Sequence, residues 1–211
     1  MSKIFNADNA FNRFLYKIGS LILVNIYFLL CSIPVITIGA SLTAANTVCY
    51  KMKEETDVSV TRTFFKAFVS NLLDATILWI IFAGFLSMCG YMIYKALVLG
   101  GREGMVIGII TGIITLVLMM GFTFIFVLLA RYNNFITRQI GNAFMIGFVN
   151  FFYCLAIWAI WAAFILPFAA NLVLFKYLGW LWLMCGFSGI IYITMGIYRK
   201  VLNVIENKSE E

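Results

Sequence analysis

IGSLILVNIYFLLCSIPVITIGASLTAANTVCY, residues 18–50, holds 33 residues without an Asp, Glu, Lys or Arg. A helix rises about 1.5 Å per residue, so this run would reach about 50 Å if helical throughout, well past a hydrocarbon core of about 30 Å. Pro34 stands near its middle. Proline removes a helix hydrogen bond and pushes the preceding residue toward extended backbone. Two arrangements follow. Either Ile18–Ile33 crosses a bilayer and Val35–Tyr50 returns, or one kinked helix crosses and its tail trails along the surface.

Four further stretches lack charge: Ala75–Tyr94, Gly104–Ala130, Gln139–Phe175 and Tyr177–Tyr198. Each is long enough for a crossing of about 20 residues. The third opens on the polar QIGNAF (residues 139–144), which suits an interface, and Pro167 is expected to end its helix. The chain therefore makes six crossings, or five in the alternative. Charge decides between them. With six crossings, Lys3, Arg13, Lys17, Lys51, Lys53, Arg62, Lys66, Arg131, Arg138, Arg199, Lys200 and Lys208 share one side, against Lys95, Arg102 and Lys176 on the other, a split of 12 to 3. Five crossings give 6 to 9. Basic residues concentrate on the cytoplasmic side, so six crossings with both termini cytoplasmic is the expected layout.

Composition agrees. Of 211 residues 64% are hydrophobic and 11% charged, with mean hydropathy +1.00, where soluble domains carry roughly 25% charge. The fold class expected is all-α, a polytopic transmembrane helix bundle, one domain over residues 1–211. Lipid is then the solvent for most of the chain. The net charge of +6 is scattered along hydrophobic boundaries, which orients helices and meets anionic headgroups and excludes a nucleic-acid surface. Cys31, Cys49, Cys89, Cys154 and Cys185 are isolated, and with no histidine there is no zinc pattern. ITIGAS, residues 36–41, faintly resembles a signal cleavage site, but the apolar run before it is too long for one.

Val35–Tyr50 is the weakest crossing, rich in small and polar residues such as Thr37, Gly39, Ser41, Thr43 and Asn46. Such a segment belongs inside a bundle, spanning or re-entrant, where small side chains allow close approach and hydroxyls find partners. Three segments, Ile4–Lys17, Ser59–Leu73 and Phe135–Gly147, have amphipathic helical spacing and read as basic surface helices at the cytoplasmic interface. Phe64–Trp79 and Ala143–Trp158 also share a register, with Asn71 matching Asn150 and Trp79 matching Trp158. If duplicated, the chain is a 3+3 pseudo-repeat, roughly residues 18–95 and 104–198, with the halves pointing oppositely as in many transporters.

Gly104, Gly108 and Gly112 lie four apart and form a groove for close helix contact, within the chain or in self-association. Trp180, Trp182, Tyr91 and Tyr94 read as an aromatic belt at one interface, Tyr132 and Tyr198 at the other. No acidic or basic residue lies in the core of a proposed span; Asp74 comes nearest, at an edge. That weakens an ion-coupled pump. Uncharged polar groups remain, Asn25, Thr37, Thr43, Asn46, Asn150 and Asn171, and of these Asn25, Asn46 and Asn150 are the candidate interior polar site. With no histidine, no carboxylate within a span and no phosphate-binding glycine loop, no catalytic residue, metal or cofactor is expected and the chain reads as no enzyme.

The segment S-x-P-V-x-T-I-G-A (Ser32, Pro34, Val35, Thr37, Ile38, Gly39, Ala40), with Asn25 before it and F-x-x-A-F-x-x-N near Phe64–Asn71, resembles the YesL-like family of small bacterial membrane proteins of unknown function. Members are often encoded beside carbohydrate uptake transporters and polysaccharide-degrading enzymes. The resemblance implies a part in oligosaccharide uptake or its regulation in the bacterial plasma membrane, marks the hinge Ser32, Pro34, Thr37 and Gly39, and transfers no catalytic residue. Two functions are expected: an accessory or scaffold protein packed against a membrane transporter, or a permease for a neutral solute such as an oligosaccharide.

Overall fold

The structure is a computed structural model, and it describes residues 10–54, 58–132, 135–170 and 172–210. Among the described residues it is helical without strands: α1 (Ala10–Cys31), α2 (Ile38–Glu54), α3 (Val60–Ser70), α4 (Leu72–Leu99), α5 (Gly101–Arg131), α6 (Ile136–Val149), α7 (Phe151–Ala170) and α8 (Leu172–Glu210). Arg13–Cys31, Leu72–Leu99 and Gly101–Arg131 are each long and apolar enough to cross a membrane, and α6 with residues 151–167, a pair bent by 93°, makes a fourth if the two are one broken span.

The 33-residue run breaks where proline predicts. α1 stops at Cys31, Pro34 caps a 3-10 turn over Val35–Thr37, and α2 starts at Ile38. The Thr37 hydroxyl lies 2.6 Å from the Cys31 carbonyl oxygen and 2.7 Å from that of Pro34, so it closes the end of α1. α2 is the interior helix, burying Gly39, Ala40, Ser41, Thr43, Ala44, Ala45, Asn46, Val48, Cys49 and Met52 among α1, α3, α4, α5 and α8. Its hydroxyls are met locally: Thr43 donates to Gly39 O at 2.9 Å and Ser41 to Thr37 O at 3.1 Å. A methyl group on Gly39 would stand 2.4 Å from Ala75 O and 2.7 Å from Trp79 Cβ, so α2 and α4 cross at a spacing that only glycine permits.

Three sequence expectations change. The run Gln139–Phe175 breaks at Asn150, not at Pro167, which lies inside α7; there the Asn150 amide donates to Ile146 O at 3.0 Å and caps α6. Asn71 does the same between α3 and α4, donating to Ala67 O at 2.9 Å. Second, the amphipathic α6 has a protein-facing side that packs along α5: a methyl group on Gly147 would stand 3.0 Å from Met120 O, and the Gln139 amide donates to Tyr132 O at 2.7 Å. Third, residues 10–17 are simply the first turns of α1, while residues 4–9 of the proposed N-terminal amphipathic segment lie outside the described residues, as does Asn171.

Beyond Phe82 on α4 and before Met120 on α5, the buried residues are Cys89, Ala96, Gly104 and Thr111. Phe82, Cys89 and Ala96 recur every seven residues, as do Gly104 and Thr111, which makes a narrow seam between two helices. The rest of this arm is exposed and apolar, including Phe85, Met88, Leu97, Met105, Ile109 and Ile113.

Candidate functional site

The charge ladder that ends the helices sets the floor of the site. Arg131 of α5 and Glu206 of α8 pair at 2.6 Å, and Tyr132 donates to the same carboxylate. The Arg131 guanidinium lies 4.8 Å over the Tyr50 ring and that of Arg199 5.5 Å from it. Arg199 also donates to Lys53 O at 2.9 Å, satisfying a carbonyl at the end of α2, and reaches Glu54 at 3.8 Å. Burial and then the Glu206 bond push the Tyr132 phenol up to about 12. Burial and then the charge of Arg199 hold the Lys53 ammonium below the usual lysine range; it lies 4.4 Å over the Tyr192 ring. Together these groups fasten α2, α5 and α8 at one end.

Away from that end, α2, α5, α7 and α8 enclose a cleft of about 320 Å³. Its inner wall is fully buried: Phe126, Ile157, Ile191 and Thr194 are at most 2% exposed. Its rim consists of Leu42, Met119, Trp161 and Ile165, each partly exposed or exposed. Trp158 and Trp161, one helical turn apart, present both indoles to it with Phe122 opposite.

The polar groups around the cleft are nearly all spent. The Thr123 hydroxyl donates to Met119 O at 2.7 Å and accepts from the Trp158 indole N–H at 2.7 Å. Thr194 donates to Ile190 O at 2.8 Å, and Tyr198 to Thr123 O at 3.0 Å. Asn46 differs. It is 4% exposed, lines the cleft, and its amide has no hydrogen-bond partner among the described residues. Its amide atoms are not among the fully buried ones that lack a partner, so they open onto the cleft, and an amide that no protein group meets in an aromatic wall costs up to about 1–3 kcal/mol unless something in the cleft bonds it.

The three asparagines proposed together are therefore separated. Asn25 is fully buried and bonds α8 through both its atoms, donating to Leu183 O and accepting from Ser188 N–H at 3.0 Å; it joins α1 to α8 and has nothing left for a ligand. Asn150 caps α6 and faces a different groove. Only Asn46 faces the cleft. The hinge residues are structural too: Pro34 and Thr37 shape the turn and Gly39 admits α4, while the buried Ser32 hydroxyl has no partner among the described residues. Of the glycines, Gly104 packs on Ala96 O inside the α4–α5 hairpin, a methyl group on Gly108 would stand 3.7 Å from Ala96 Cβ, and Gly112 faces open space. The indoles and Thr123 escaped the sequence reading; the available signal was the W-x-x-W spacing, which puts both rings on one helix face.

Chemically the cleft can bind and orient. Among the described residues no three His, Cys, Asp or Glu side chains gather to hold a metal, and the cleft wall carries no titratable side chain except the Tyr198 phenol, whose proton is engaged with Thr123 O. No curated protein and no solved structure matches the chain. Residues 21–94, from α1 through most of α4, match the model of a family described as a protein of unknown function, DUF624.

Proposed function

We propose that this chain is a non-catalytic plasma-membrane protein that binds a small neutral ligand in the cleft between α2, α5, α7 and α8. In this reading α1, α2, α4, α5, α7 and α8 are the six crossings and both termini are cytoplasmic, supported by the 12-to-3 charge split. The observation that carries the binding role is Asn46, buried, unpaired and lining an aromatic cleft of about 320 Å³, the size and character of a small-molecule site. The test is intrinsic fluorescence of the purified protein in nanodiscs, since Trp158 and Trp161 report on the cleft. A panel of neutral sugars, alkyl glycosides and alcohols should contain members that change the emission saturably, and Ile157→Trp, which fills the cleft, should abolish that response. An unchanged response in the filled variant would refute the site.

A second reading has its own observation. The apolar α4–α5 arm touches little beyond its own seam, and an arm of that kind suits an accessory protein docking beside a membrane transporter, in keeping with the carbohydrate-uptake setting implied by the YesL-like resemblance. Purification in mild detergent should then retain a stoichiometric membrane partner. Replacing Ile109 and Ile113 with Ala should release it, and recovery of a lone monomer from native membranes would count against this role. With Gly104 engaged by Ala96, self-association through the glycine face would have to use Gly112.

A further inference from the structure

We infer that the cleft takes a neutral amphiphile with a single hydroxyl at its head and an apolar body, entering sideways from the bilayer. This rests on the cleft being a binding site, and it names the ligand class from the wall. A sugar ring presents a hydroxyl on nearly every carbon, and each one buried without a partner costs free energy. The wall meets few of them: Thr123 already donates and accepts, Thr194 and Tyr198 have given their protons to backbone carbonyls and can only accept, the Trp161 indole can only donate, and the remaining surface is Phe, Ile, Leu, Met and Val with the bonded Trp158. The Asn46 amide is the one lining group with both donor and acceptor still unused, and a lone hydroxyl, which also donates and accepts, is its complement.

The shape of the cleft points the same way. It follows α5 from Met119 to Val127, about 12 Å of apolar helix. Asn46 lies one turn closer than Leu42 to the charged end of α2 where Lys53 and Glu54 stand, so a ligand bonded there would extend its body past Leu42 and Trp161 toward the rim. The rim opens between α5 and α7, which barely touch, and both present apolar side chains outward there, Leu116 at 41% and Phe164 at 40% exposure. On a helix pair of this character the mouth meets lipid tails, where an alcohol with a hydrocarbon body is already dissolved and a sugar is not.

The test uses bromine as a short-range quencher of Trp158 and Trp161. The full chain in nanodiscs is titrated with 12-bromododecan-1-ol, with 1-bromododecane, and with maltose as a competitor, and the signal is assigned to the cleft by its loss in Trp161→Phe. The bromoalcohol should quench saturably at about one-tenth the concentration of the bromoalkane, the difference one hydrogen bond supplies. Asn46→Leu should erase that gap, Asn46→Gln should preserve it, and maltose should not compete. Maltose competition would overturn the ligand class while leaving the cleft a binding site, and so would equal potency of alcohol and alkane in the wild type. The absence of saturable quenching by any probe would overturn the cleft reading itself.

Discussion

Asn25 and Asn46 are the same residue type, both buried, and they make opposite predictions. Asn25 bonds a carbonyl and an N–H of α8, so Asn25→Leu removes two hydrogen bonds that tie α1 to α8 and should lower unfolding free energy by about 1–3 kcal/mol. Asn46 has no such partner, and Asn46→Leu replaces an unpaired amide with apolar volume; stability should hold or rise by about 1 kcal/mol. Thermal unfolding of both variants in one detergent separates the two roles, and a comparable loss in Asn46→Leu would show a structural role for that amide. Gly39→Ala belongs beside them. Its methyl would overlap Ala75 O and Trp79 Cβ, one of them backbone, so the α2–α4 crossing must open, at about 1–3 kcal/mol, detectable as a lower unfolding midpoint.

At the scale of elements, the joint between α5 and α8 carries a pH dependence. The Tyr132 phenol is raised to about 12 by burial and by its bond to Glu206. Unfolded, a tyrosine titrates near its ordinary value of about 10. A folded pKa above the unfolded one stabilises the protein at pH below about 10, and that contribution disappears as pH climbs from about 10 to 12. Wild type should therefore lose stability across that interval more steeply than Tyr132→Phe, and Glu206→Gln should bring the Tyr132 absorbance titration near 295 nm to lower pH. Parallel stability curves for wild type and Tyr132→Phe would sink the assignment. How legible these elements were follows from what each depends on. The break after Cys31 and the interior character of α2 were readable, because proline and a run of small polar residues act locally. The break at Asn150 was missed: an asparagine that caps its own helix leaves no hydropathy trace, whereas Pro167 suggested a stop and sits inside α7. The cleft was unreadable because Asn46, Thr123, Trp158 and Thr194 lie on four helices, and only tertiary packing decides that Asn25 is bonded while Asn46 is not.

At the scale of the whole molecule, the proposed topology turns on α2. If α2 crosses, Arg13 on α1 and Lys200 on α8 share a side and Arg102 lies opposite; if it does not, Arg13 and Lys200 are separated by the membrane. The contacts at the charged end favour the first, since Tyr16 of α1 donates to Val58 O just past α2, and Arg199 of α8 donates to Lys53 O at the end of α2. These bring the start of α1, the end of α2 and residue 199 of α8 to one level. Replacing the five cysteines by alanine and introducing one each at the exposed positions Arg13, Arg102 and Lys200 permits labelling with a maleimide that cannot cross the membrane. In intact cells Arg102→Cys should be labelled, with Arg13→Cys and Lys200→Cys protected until the membrane is permeabilised. Labelling of only one of the Arg13 and Lys200 variants from outside would place them on opposite faces and leave α2 as a helix that enters the bundle without crossing. The Asn46 cleft would survive that outcome, because its walls depend on what α2 packs against, but its rim would then have to be reached from the side on which α2 enters.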